Sequence, residues 1–279
     1  MINYPISISE LADLIEIHKP NWLNRATKRT AHFKARGKYD ESSSIWSEVK
    51  EVYMQLQGES KCVFCERKLA SVTHGLIEQD VEHFRPKKKV KKWKQNLGIN
   101  LSNPPSRNRG YFLLAYHLFN YAASCKVCNS TLKSSIFPIK GNYDFTLENP
   151  ANAQQEQPLL IYPIGDFDEK PEDLITFHGL VPMPKYPTGI KHERALASIS
   201  LFKLNDVTER KNLFLERAQV LISLYLSLEQ NISTLINGFT SPKFPHTNCA
   251  LSFKTLYGQD YPEAKEIFEL CVAFIDTNS

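Results

Sequence analysis

Apolar positions recur at helical spacing through the first sixty residues. Leu11, Leu14 and Ile15 form one stripe, and Ile45, Trp46, Val49, Val52, Tyr53 and Leu56 form a second. Such stripes turn one face of each helix toward a core. Residues 1–60 therefore read as an N-terminal helical region, packed as a lid on the middle of the chain. The longest apolar stretch, Tyr111 to Ala123, is interrupted by His117 and Asn120 and falls short of the ~20 residues a membrane span needs. Residues 141–190 are punctuated by Pro150, Pro158, Pro163, Pro171, Pro182, Pro184 and Pro187. They predict a loop-rich connector with two short strands, Leu159 to Tyr162 and Leu174 to Phe177. Residues 191–279 return to helix. Asp206 and Glu209 are spaced as a capping box, Leu213, Arg217, Leu221 and Leu224 continue the period, and Gly238 is the expected stop. Pro262 opens a last helix through Cys271. The fold class is α+β, mainly α.

Composition alters this picture only through charge. The 279 residues are 42% hydrophobic and 23% charged with a net charge of +4, as expected of a folded globular chain. Residues 61–140, however, hold fifteen Lys and Arg against four Asp and Glu, a net +11, so the rest of the chain carries −7. A basic middle between acidic flanks points to a polyanion bound by the middle alone, nucleic acid above all. Residues 1–20 carry Glu10, Asp13, Glu16 and His18 and show no apolar export segment. The expectation is a cytoplasmic protein with reduced cysteines and no membrane partner.

Two of the motifs in residues 61–140 are cysteine pairs, Cys62-Val63-Phe64-Cys65 and Cys125-Lys126-Val127-Cys128. Each such turn presents two thiolates, and two turns complete a tetrahedral Zn²⁺ with no position left for water, which makes the site structural. Redox pairs or coincidence are the bland alternatives; two pairs in a reducing compartment favour zinc. The 59 residues between Cys65 and Cys125 are clipped at both ends by such a metal. Cys249 and Cys271 stand alone and read as core packing.

Inside the clip lies Asp80-Val81-Glu82-His83-Phe84-Arg85-Pro86-Lys87. Phosphodiester hydrolysis needs a base for water, a cation for the leaving oxyanion and donors for the phosphate. His83 can be the base. Glu82 or Asp80 can give a hard oxygen to Mg²⁺ or Mn²⁺, and Arg85, Lys87 and Lys133 can hold phosphates. Taken alone, a Glu-His pair is more often a surface ion pair. The run Lys87, Lys88, Lys89, Lys91, Lys92 and Lys94 around Val90 and Trp93 is by itself a solvated loop; directly after a base it becomes a loop that grips phosphates without sequence choice. Trp93 can stack on a base or anchor the loop.

The Glu82-His83-Phe84-Arg85-Pro86-Lys87 string, taken with Ser124-Cys125-Lys126-Val127-Cys128-Asn129, resembles zinc-knuckle HNH nucleases, in particular the HNH subunit of Septu-type anti-phage systems and related retron-linked effectors. Trp46 with Lys50, Pro158-Leu159-Leu160-Ile161, and Leu204-Asn205 fit the same layout. The resemblance implies a ββα-metal core with a four-cysteine knuckle at residues 61–140, flanked by the two helical regions. It implies that His83 deprotonates water, and that Asn120 braces the loop that orients it. It further implies that Glu82, with Asp80 as alternative, and Asn129 bind the catalytic metal. An Asn where the family name has its last His favours Mg²⁺ over Zn²⁺ there. The products expected carry 5′-phosphate and 3′-hydroxyl ends, DNA is the favoured substrate, and a partner ATPase is implied. The alternative from another class is a zinc module that binds nucleic acid without cutting it.

Overall fold

Both N-terminal stripes fold as helices in the computed structural model, which describes residues 1–70 and 79–278. They are α1 (Ile8–His18), α2 (Trp22–Arg36) and α3 (Lys50–Leu56), the last entered through a 3-10 turn at Trp46–Val49. Ser7 caps α1 reciprocally: its Oγ accepts from the Glu10 N–H, and the Glu10 carboxylate accepts from the Ser7 N–H at 2.9 Å, which satisfies two donors the helix cannot. Trp22 of α2 is buried, and its indole N–H donates to Ile45 O at 2.9 Å. That bond ties the helices to the second apolar stripe, so Trp46 sits at a fixed place over the middle of the chain.

The middle is organised by β1 (Gln79–His83) and β2 (Tyr121–Cys125), paired antiparallel with Gln79 opposite Cys125 and His83 opposite Tyr121. All of β2 is buried, and a π-helical segment, Val127–Lys133, continues from it almost at once. The loop between the strands folds back on itself where Tyr111 N–H donates to Pro86 O at 2.9 Å. Gly110 makes the return possible: its φ is +67°, and a Cβ there would lie 1.9 Å from Lys88 O, so no other residue fits.

In the connector, one expected strand is present and one is not. Ile175–His178 is β3, paired antiparallel with β4 (Val181–Pro184) after a four-residue helix α4 (Pro171–Leu174). Leu159 to Tyr162 are buried but unpaired as a strand, with single bridges Ile139–Pro158 and Tyr4–Ile164 on either side. Pro158 and Pro163 bracket the segment and withhold ladder donors, so an apolar run with strand composition crosses the core as extended coil.

The C-terminal region holds α5 (Gly189–Leu201), α6 (Lys211–Glu229), α7 (Ser233–Phe239), α8 (Thr247–Gln259) and α9 (Tyr261–Asn278). Asp206 accepts from the Glu209 N–H at 2.9 Å as its spacing predicts, yet the helix proper starts at Lys211. It ends before Asn231, whose φ of +52° breaks the period, and Gly238 lies inside α7 rather than at a stop. One apolar cluster runs from Met1 through the strands and connector to Leu213; a second, from Ala218 to Cys271, fills the space between α6, α8 and α9. Among the described residues the protein is mainly helical, with two small two-stranded sheets and no helix long and apolar enough to cross a membrane.

Candidate functional site

The four paired cysteines converge. Their Sγ atoms all lie within 4.8 Å of one another, Cys65 and Cys125 at 3.9 Å, and all four are buried. Four thiolates about 2.3 Å from a tetrahedral Zn²⁺ stand about 3.8 Å apart, so the donor set fits that ion. Local backbone explains the convergence. Val63 N–H donates to Ala123 O at 3.1 Å, which hangs the first turn on β2, and Glu66, at φ +60°, closes that turn with its N–H on Cys62 O at 2.9 Å. Arg210 places both Nη atoms near Cys128 Sγ, at 3.8 and 3.7 Å, while donating to Phe202 O at 2.6 Å. A guanidinium there offsets the negative charge of a four-thiolate centre. Nothing in the sequence marked Arg210, 82 residues beyond its sulfur; an arginine just after a capping pair is the only trace. Cys249 and Cys271 lie in the C-terminal apolar cluster.

Next to the knuckle, a cleft of about 590 Å³ opens over β1. Asp80, Glu82 and His83 line it from the strand, Asn129 from the π-helical segment, and Tyr39 and Trp46 from the lid. His83 Nε2 lies 3.1 Å from Ala115 O. A carbonyl only accepts, so Nε2 carries the proton and Nδ1 offers its lone pair. Burial, reinforced by the Lys87 ammonium 3.3 Å from Nδ1, holds the imidazole well below its ordinary pKa, hence neutral. The Trp46 and Tyr121 rings stand perpendicular to it, with centroids 4.8 and 5.0 Å away. Lys87 itself sits over the Trp46 ring at 4.1 Å, and burial lowers its pKa to about 8.

The carboxylates divide. Glu82 is buried and ion-paired with Lys133, which also donates to His83 O at 3.1 Å. Burial raises the Glu82 carboxyl, against the pull of Lys133 and Lys87. Asp80 is half-buried, and its Oδ2 accepts from Asn129 Nδ2 at 3.3 Å. The sequence puts Glu82 first as acidic metal ligand and Asp80 second; in the fold Glu82 is ion-paired with Lys133, and Asp80 lies beside Asn129.

Two further expectations change. Lys133 is fully buried and serves Glu82, so it is not available to a phosphate. Arg85 is 2% exposed, with Nε on Glu156 Oε2 at 3.1 Å and its guanidinium 4.8 Å from the Phe137 ring, so it faces inward rather than toward the cleft. Asn120 is buried away from the cleft: its Oδ1 accepts from Arg85 N–H at 2.7 Å, and its Nδ2 donates to Arg85 O at 3.1 Å and Leu114 O at 2.9 Å. It pins the backbone two residues past His83. Lys88, Lys89, Lys91, Lys92 and Lys94 are exposed, Lys88 among them lining the cleft, Val90 is buried, and Trp93 packs against the main apolar cluster as the loop's anchor. The aromatic wall of Tyr39 and Trp46 adds to the expected site; periodicity alone assigns Trp46 to the core.

No family model matches the chain, and no solved structure matches it. It is similar to the Septu protein PtuB of Bacillus mycoides (strain KBAB4), at 28% identity over 169 residues, 59% of this chain and 52% of that protein. The chain thus spans about half the length of the curated relative it matches.

Proposed function

We propose that the protein is a metal-dependent phosphodiester hydrolase of the HNH type, acting on nucleic acid, with DNA the favoured substrate. The observation that carries this is the state of His83: a neutral imidazole in the wall of the cleft that Asp80 and Asn129 also line, its Nε2–H spent on Ala115 O and its Nδ1 accepting from Lys87 at 3.3 Å. A base for water must be unprotonated and held in place; this one is, its Nδ1 lone pair yielded to water when Lys87 turns to a substrate phosphate. Its placement on the second residue past Val81 of β1, with β2 and the π-helical segment behind it, supports a ββα core. The Asp80 carboxylate and the Asn129 amide are the hard oxygen donors that Mg²⁺ or Mn²⁺ takes, and such an ion supplies charge neutralisation at the phosphate and its leaving oxygen. His83 Nδ1 takes the proton of an in-line water. Ala115 O then stabilises the imidazolium through Nε2–H. Lys87 and the exposed lysines hold the flanking phosphates. The likeness to PtuB, with the two motif strings, supports a role in Septu-type anti-phage defence alongside a partner ATPase.

A zinc module that binds without cutting is the second reading. The Lys133–Glu82 pair favours it, because it occupies a carboxylate that an active site could have used. Plasmid DNA incubated with the purified protein and Mg²⁺ or Mn²⁺, with and without the partner, separates the two. On the first reading the DNA is cut, and His83→Ala lowers the rate by about a hundredfold or more while zinc content and fold persist. Equal DNA binding by both proteins with no cleavage by either leaves the second reading standing.

A further inference from the structure

Behind the catalytic strand lies a separate cleft of about 230 Å³, lined by Arg85 and Arg194 together with Pro150, Ala151, Phe167 and Ile190. Both arginines are more than nine-tenths buried, at 2% and 6% exposure. Arg85 uses Nε on Glu156 and lays its guanidinium over the Tyr111 and Phe137 rings at 5.8 and 4.8 Å, and neither Nη makes a hydrogen bond among the described residues. Arg194 spends both Nη groups on Asp168, Glu169 and Leu160 O at 2.7 to 3.0 Å, yet its Nε–H is buried with no partner. A buried donor left unpaired, as the Arg194 Nε–H is, costs about 1–3 kcal/mol, so such a donor is normally met by something. The carboxylates on the wall are engaged: Asp168 receives Arg194 and the N–H groups of Tyr162 and Glu169, and Glu169 receives Arg194 and Lys191. The groups left open are therefore donors, and a ligand that meets them must bring acceptors. A planar fork of N–H groups pairs best with a phosphate or carboxylate, while the proline, alanine, phenylalanine and isoleucine rim suits a small apolar body.

We propose that this rear cleft binds a small oxyanion-bearing molecule, a phosphate or carboxylate, with its head on Arg85 and its body against the apolar rim. The proposal stands apart from the hydrolase reading, since it concerns binding on the other side of His83. Because Arg85 comes two residues after that histidine and Asn120 pins its backbone, occupancy bears directly on the loop that carries the base.

Isothermal titration of the full chain with inorganic phosphate, a nucleoside monophosphate and benzoate tests it. One saturable event per chain is expected with at least one probe. Tighter binding of the nucleotide than of phosphate assigns a nucleotide, and tighter binding of benzoate assigns a carboxylate. Ala151→Trp fills the rim without touching either arginine and abolishes the event; Arg194→Gln weakens it about tenfold or more. Arg85→Met is the direct variant but removes the partner of buried Glu156, so Ala151→Trp carries the test if Arg85→Met does not fold. Binding that survives Ala151→Trp undiminished, or no binding of any probe to the folded wild type, overturns the proposal.

Discussion

His83 and His117 are both held in the neutral form, and in both burial is the larger cause. For His117 burial, then the charge of Arg85, lowers the pKa to about 4; for His83 burial is joined by Lys87. In the unfolded chain each titrates near 6.5. Between the two values the unfolded state binds more protons, so stability is fully present above about 6.5 and is lost as pH falls toward the folded value. His117 alone contributes on the order of 3 kcal/mol across that window, an upper bound because it is only half-buried. Urea unfolding at pH 7 and pH 4.5 measures the loss. His117→Asn keeps an acceptor for the Phe119 N–H that His117 Nδ1 now receives at 3.1 Å and removes the titrating group, so its stability is less sensitive to acid. Equal acid sensitivity in both proteins rules His117 out as the source. The chemistry of such residues was legible in the sequence; their surroundings were not. Arg85 and Lys133 read as phosphate contacts because charge is visible in a sequence and burial is not. Their partners, Glu156 and Glu82, lie 71 and 51 residues away, beyond any local pattern.

Elements were legible where they carry a period or a ligand spacing. The two cysteine pairs predicted a clip, and the four sulfurs meet. The helical lid came from its stripes, and β3 from its apolar run. Leu159 to Tyr162 had the same composition but no strand beside it, and pairing is a property of two segments, not one. The π-helical segment had no signal either, since one extra residue per turn leaves the pattern of a seven-residue stretch nearly unchanged. The effect of the clip on these elements can be measured. The first cysteine turn hangs on β2 through Val63, and the second continues β2 into the segment bearing Asn129, so an ion bound by the four sulfurs would tie the cysteine turns to the strand and segment that build the cleft. Structural zinc supplies on the order of 10 kcal/mol of folding free energy. Cys128→Ser is expected to lose the metal and to unfold at a markedly lower temperature, as the wild type does in excess chelator, whereas Cys249→Ser keeps full zinc. One zinc per chain retained in Cys128→Ser, with an unchanged melting temperature, shows that these sulfurs do not hold the ion.

At the scale of the molecule, the charge is sorted in space as it is along the chain. The +11 of residues 61–140 divides into lysines and arginines that the fold buries in ion pairs and lysines that it leaves exposed. Lys61 is buried beside Glu66, Arg85 beside Glu156 and Lys133 beside Glu82. Lys88, Lys89, Lys91, Lys92 and Lys94 are exposed on a loop fixed at one end by Gly110 and in the middle by Val90 and Trp93. A loop anchored in this way presents five exposed cations on the segment that leads away from the cleft at Lys88, with less of the entropy cost of ordering the backbone on contact. If it grips a nucleic-acid backbone, each lysine that meets a phosphate releases counterions, and the slope of log affinity against log salt steepens by about 0.9 per contact on a duplex. Replacing all five by Gln should therefore flatten that slope by up to about 4.5 and weaken binding at low salt for every sequence alike. Zinc content and melting temperature should hold, because none of the five is buried. Fluorescence anisotropy with a labelled duplex, read across a salt series, gives the slope directly. A slope and affinity unchanged by the five substitutions remove the lysine loop from the interface and leave the middle of the chain basic for another reason.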